Sequence, residues 1–176
     1  MFHSSPITTW IWTFGDGDSS SLQHPQHVYS NDGTYQVMHQ VVDANGCKKD
    51  TTLNIIIFPK PFPQFTTSYE CVGTAFSFLN TSTIPNGYSI VNSFWNFGDG
   101  SPLDTNYHPS HIFQTAGNYL ITYIAESDRG CRDTILDSID CLSIAKCCFL
   151  FRYRLRRKFN FFEQYFHYCK WKYCRL

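Results

Sequence analysis

Trp95-Asn-Phe-Gly-Asp-Gly100 decides how this chain is read, because it occurs twice: Trp12-Thr-Phe-Gly-Asp-Gly17 lies 83 residues earlier. Further segments recur in the same order. His24-Pro-Gln-His27-Val-Tyr29 returns as His108-Pro-Ser-His111-Ile-Phe113, and Gly33-Thr-Tyr35-Gln-Val37 returns as Gly117-Asn-Tyr119-Leu-Ile121. Asn45-Gly46-Cys47 then matches Arg129-Gly130-Cys131. From the histidines onward the shift is 84, which one inserted residue before His108 explains. A fixed period of this size marks a tandem array of one supersecondary design.

Each unit reads as short strands bounded by turns. Residues 90–97 and 117–125 alternate with period two and are rich in β-branched and aromatic side chains, while Asp-Gly and Asn-Gly pairs punctuate them. The first 140 residues carry no sustained helical period, so a repeat of about 84 residues built from strands points to a seven-strand sandwich. Trp12 and Trp95 lie where a large aromatic fills the space between two sheets, rather than serving as sugar-stacking platforms. Gly15, Gly17, Gly98 and Gly100 suit turn angles closed to other residues, and Asp16 and Asp99 can close those turns on backbone amides. Asp16, Asp18, Asp99 and Asp104 could offer oxygens to Ca²⁺, but an EF-hand spacing is absent and the structural turn is the better account. The His-x-x-His pairs lack the further ligands of a zinc site, which leaves packing or hydrogen bonding as their role and no metal or other cofactor expected. Tyr35 and Tyr119 each follow a glycine at a strand start, in the manner of a tyrosine corner.

Together these motifs resemble the PKD (polycystic kidney disease) domain family, across most of residues 7–137. The resemblance implies all-β, immunoglobulin-like sandwich repeats used in extracellular adhesion, as spacers, or beside the catalytic domains of secreted enzymes. It also implies a disulfide between Cys71 and Cys131, joining the cysteine before the second strand to the Gly-Cys of the last. Residues 1–58 form a repeat truncated at its N-terminal side, because nothing in it matches Phe65–Asn92; residues 62–137 form a complete one. The five-strand remnant should fold poorly alone and leave Cys47 without its partner.

Residues 138–176 are a different kind of sequence. Residues 1–140 hold 5 Lys/Arg against 13 Asp/Glu, whereas residues 141–176 hold 9 against 1, with 11 aromatics and five of the eight cysteines. Cations and aromatics share no clean helical face, which disfavours a membrane-surface or nucleic-acid segment. Reading one base forward from about residues 138–142 permits a cysteine 84 positions after Cys71. It also permits counterparts of Pro59, Pro61, Phe65, Gly73, Asn80, Thr81, Ser82, Asn86 and Gly87. The tail is therefore expected to be the frame-shifted start of a third repeat, an irregular segment without a fold of its own.

No Ser/His/Asp order, P-loop or His-Glu-x-x-His motif is present, so no catalytic residue is expected. Neither a signal peptide nor an 18-residue apolar run occurs, so any export signal is expected outside this chain, with no membrane insertion. The expected function is a non-catalytic extracellular or cell-surface module, a spacer or adhesion repeat. Its partners would be extracellular proteins or glycans and neighbouring repeats of a longer chain. The alternative is an accessory segment of a secreted hydrolase.

Overall fold

The computed structural model describes residues 5–68, 70–85 and 87–147. The chain divides into two compact units, Met1–Pro59 and Lys60–Leu176. Ten strands make up nearly all regular structure among the described residues. They are β1 (Ile7–Thr13), β2 (Ser19–Ser20), β3 (Gly33–Asp43), β4 (Lys48–Ile57), β5 (Phe65–Thr67), β6 (Ala75–Asn80), β7 (Ile90–Asn96), β8 (Ser110–Ile112), β9 (Gly117–Ser127) and β10 (Arg132–Cys141).

The second unit is a β-sandwich of two three-stranded sheets, ordered β10-β9-β7 and β5-β6-β8, with antiparallel ladders throughout. Its core follows from strict alternation. Along β9, Ile121, Tyr123, Ala125 and Ser127 are buried, and along β6 so are Phe76, Phe78 and Asn80. Successive side chains of a strand face opposite ways, so one apolar set per strand suffices to line the space between sheets. Trp95 is fully buried there, stacked on Tyr123 with centroids 3.9 Å apart and met edge-on by Phe65 at 5.3 Å. Its indole Nε1 donates to Asn106 O at 3.0 Å, which satisfies the one polar atom a buried tryptophan brings. The Tyr123 hydroxyl is likewise satisfied, 2.6 Å from the donating Asn80 Nδ2 and 3.3 Å from Ser93 Oγ.

The first unit contains a single four-stranded sheet, β2-β1-β3-β4, among its described residues. It repeats the β7-β9-β10 sheet of the second unit down to detail. The register slip between Ile7 and Thr9 on β1 recurs between Ile90 and Asn92 on β7. Trp12 stacks on His39 at 3.8 Å, as Trp95 does on Tyr123, and its Nε1 donates to Leu22 O at 3.1 Å. Among the described residues the first unit has no counterpart of β5 or β6. The expected five strands are four among the described residues, because Gln26–Val28, the counterpart of β8, pairs with no strand there.

The cysteine pairing differs from the expectation. Cys71 is bonded to Cys147, with Cα atoms 6.0 Å apart, and not to Cys131. The reason is distance along an extended chain. Cys71 forms a bridge with Leu142, just beyond the end of β10, whereas Cys131 immediately precedes its start. The eleven residue steps from Cys131 to Leu142, at about 3.3 Å each, put roughly 35 Å between them. The ordered chain also runs past residue 137: β10 continues to Cys141, whose side chain is buried in the core, and residues 144–147 form one helical turn. The rest of the tail reading, from residue 148 on, lies outside the described residues.

Candidate functional site

The residues singled out by the repeat assemble at one end of each sheet, around the Gly-Asp-Gly turn. Gly98 has φ +74°, and a Cβ there would come within 2.5 Å of the Leu120 carbonyl oxygen. Gly15 has φ +84° and would meet Gln36 O at 2.8 Å. Glycine is thus required twice over, by handedness and by close approach of the turn to the neighbouring strand. Gly17 and Gly100 also have positive φ, but open space surrounds them.

Between the glycines the aspartate closes the turn. Asp16 Oδ1 accepts the Asp18 N–H at 3.1 Å, and Asp99 Oδ1 accepts the Ser101 N–H at 3.1 Å and its hydroxyl at 2.6 Å. The second oxygen of each carboxylate binds a histidine. Asp16 Oδ2 lies 2.6 Å from His27 Nε2, and Asp99 Oδ2 lies 2.7 Å from His111 Nε2. An ionised carboxylate only accepts, so Nε2 carries the hydrogen. Each imidazole stacks on the phenylalanine that opens the turn, His27 on Phe14 and His111 on Phe97, both at 4.1 Å. Each also meets the next aromatic edge-on, Tyr29 or Phe113 at 4.6 Å, and that ring stacks on the corner tyrosine at 4.2 Å. The corner tyrosines bond four residues back: Tyr35 Oη donates to Asn31 O at 3.0 Å and Tyr119 Oη to Thr115 O at 2.8 Å.

In the sequence the aspartate and the histidine belong to separate motifs, and the pair they form is not apparent there. The available signal was that both recur, with the single insertion falling between Asp99 and His111. The other histidine of the second motif serves a different strand, His108 Nδ1 accepting the Asn80 N–H at 3.0 Å.

Asp16, Asp18 and His27 place three ligand atoms within 4.8 Å of one another. That is short of the four ligands of a structural zinc site and of the six to eight oxygens Ca²⁺ takes. The second unit keeps the same aspartate–histidine geometry with Ser101 in place of Asp18. Asp104 is occupied elsewhere, its Oδ1 accepting the Asn106 N–H at 2.7 Å. In the second unit the pair braces the turn against β8, and in the first it ties the turn to Gln26–Val28.

Electrostatics agree with that role. Burial by itself would raise the Asp99 carboxyl, but hydrogen bonds from Ser101 and His111 outweigh it and hold it down at about 2, against 3.8 ordinarily. Asp16 is lowered too, again against burial, by the hydrogen bonds from His27 and the Asp18 amide. A depressed carboxyl stabilises the folded unit above its unfolded value, and that stability is lost as pH falls through the folded one. Discounted for partial exposure, the Asp99 contribution is about 1 kcal/mol. Asp99→Asn is therefore expected to cost about that much at pH 5, with the difference from the parent closing near pH 2, as read by denaturant melts at both pH values.

The model of the PKD domain family matches residues 3–57 and again residues 59–141. The metalloprotease PrtV of Vibrio cholerae is 29% identical over 131 residues, 73% of this chain and 14% of that protein. Collagenase ColA of Bacillus cereus is 36% identical over 64 residues, 36% of this chain and 6% of that one. The chain thus spans a small fraction of these relatives. Among solved structures, the PKD1 domain of PrtV is 28% identical at a TM-score of 0.42, covering 49% of this chain and 99% of that domain. The PKD1 domain of Vibrio anguillarum Epp is 21% identical at a TM-score of 0.44, covering 48% of this chain and 95% of that one.

Proposed function

The chain belongs to the PKD domain family, and from that membership we propose that it is a non-catalytic accessory module of an exported multidomain protein. The observation that carries this reading is the pairing inside both turns: the repeated aspartate and histidine are bonded to each other, and the aspartates also to backbone amides. General acid–base work needs such a group within reach of a substrate proton, and a carboxylate held down at about 2 is poorly matched to it near neutral pH. Among the described residues no helix is long and apolar enough to cross a membrane.

The matched relatives are a metalloprotease and a collagenase, which favours an accessory role beside a hydrolase over a purely adhesive array. A spacer function fits the same reading, since repeated compact units of one design lengthen a polypeptide. Contact with an extracellular protein or glycan belongs to either setting. The test is to incubate the full chain with gelatin, casein and soluble glycans, and in parallel with insoluble collagen and cellulose. No turnover is expected, and any interaction appears as retention on the insoluble material. Turnover that copurifies with the chain and disappears in Asp16→Asn or Asp99→Asn would contradict the reading.

A further inference from the structure

Two long strands end their sheets in equivalent places. β4 pairs with β3 on one side and β10 with β9, and among the described residues no strand pairs with the other side of either. Such an edge is a row of unpaired N–H and C=O groups, to which another strand can add unless charge or distortion prevents it. β10 is guarded by charge, with Asp137 and Asp140 exposed along it. In β4 those positions are Leu53 and Ile56, since Val37↔Leu53 matches Ile121↔Asp137 and Thr34↔Ile56 matches Asn118↔Asp140. Leu53 is 66% exposed and Ile56 55%. That exposure belongs to the edge itself, because Asp137 and Asp140 are exposed in a unit that has both sheets. Residues 51–58, Thr-Thr-Leu-Asn-Ile-Ile-Ile-Phe, hold no charge, glycine or proline, the composition of a strand that pairs readily with its like. No bulge turns the edge aside, the register with β3 running unbroken from Gly33↔Ile57 to Val42↔Lys48.

We infer that β4 is a self-association edge, at which two copies of this chain join β4 to β4 antiparallel in the register centred on Leu53. The inference goes beyond the accessory role, which requires no second copy. An antiparallel pair of identical strands has a twofold axis, so one edge supplies both halves of the contact. In this register Leu53 faces Leu53, Thr51 faces Ile55 and Asp50 faces Ile56, with no like charges opposite one another. Lys49 falls at the end of the ladder, opposite Ile57. The same arrangement on β10 sets Asp137 against Asp137, and like charges directly opposite are destabilising. A strand of unlike sequence finds no charge on residues 51–57 to recognise, whereas a copy brings an apolar side chain to Leu53 by symmetry. The sheet β2-β1-β3-β4 thus continues through β4 into the sheet of the second copy.

The experiment follows the mass of the full chain by sedimentation equilibrium over a concentration series, for the parent, for Leu53→Lys, for Leu53→Glu and for an equimolar mixture of the two variants. The parent is expected to pass from monomer to dimer. Each variant alone is expected to associate at least about tenfold more weakly, because the twofold axis brings its like charges together, and the mixture is expected to recover the dimer. Amide exchange within Lys48–Ile57 is expected to slow as the parent dimerises, while that of β10 stays the same. The position tolerates charge, as Asp137 shows in the second unit, so the dilute variants are expected to melt like the parent. A parent that stays monomeric up to about 1 mM overturns the inference. So does a dimer that persists undiminished in both variants, which would place the contact elsewhere, and so does a mixture that associates no more tightly than either variant alone.

Discussion

Trp95→Ala is expected to lower the stability of the second unit by about 4 kcal/mol, the range found when a large core aromatic is truncated. Trp95 stacks on Tyr123, meets Phe65 edge-on and lies beside Phe78, so its removal opens a cavity that two sheets cannot both collapse into. Asn106 O also loses the indole donor. Trp12→Ala makes the same chemical change at the equivalent position of the first unit. Only one sheet packs on Trp12 there, so the expected loss is about 1–2 kcal/mol, following the smaller area returned to water. Scanning calorimetry on the two full-length variants reads both effects. Equal losses would mean that the two tryptophans have equivalent surroundings.

Gly98→Ala is expected to cost about 3 kcal/mol or more in the second unit. A left-handed backbone at φ +74° costs a non-glycine residue about 1–2 kcal/mol. The Cβ approach of 2.5 Å to Leu120 O adds to that, because the obstacle is backbone of the neighbouring strand and cannot swing aside. Gly100→Ala separates the two causes: φ is +84° but nothing lies within 4 Å, so only the conformational part, about 1 kcal/mol, is expected. Denaturant midpoints of the two variants, at unchanged slope, check the difference. If both substitutions cost the same, close approach to Leu120 plays no part.

The all-β architecture and the location of the turns were legible in the sequence because they rest on local chemistry. Period-two alternation marks β7 and β9, and Gly-Asp-Gly specifies a turn whatever surrounds it. The core role of Trp95 was legible for the same reason, as the large inward residue of an alternating strand. The Cys71 partner was not. Pairing depends on which end of β10 lies beside Cys71, a question of register that cysteine spacing does not encode. The bond between Asp99 and His111 was hidden too, since it joins a turn to a separate strand 12 residues on.

The β1-β3-β4 sheet of the first unit repeats the β7-β9-β10 sheet of the second, and among the described residues only the second unit has a further sheet, β5-β6-β8. Residue-by-residue hydrogen exchange on the full chain tests it most directly, because paired strands can be compared within one molecule. β9 and β3 are equivalent strands, each paired on both sides. Amides of Gly117–Ser127 are expected to exchange about a thousandfold more slowly than those of Gly33–Asp43, the consequence of roughly 4 kcal/mol of inter-sheet packing that β3 does not have. Equal protection along the two strands would contradict it.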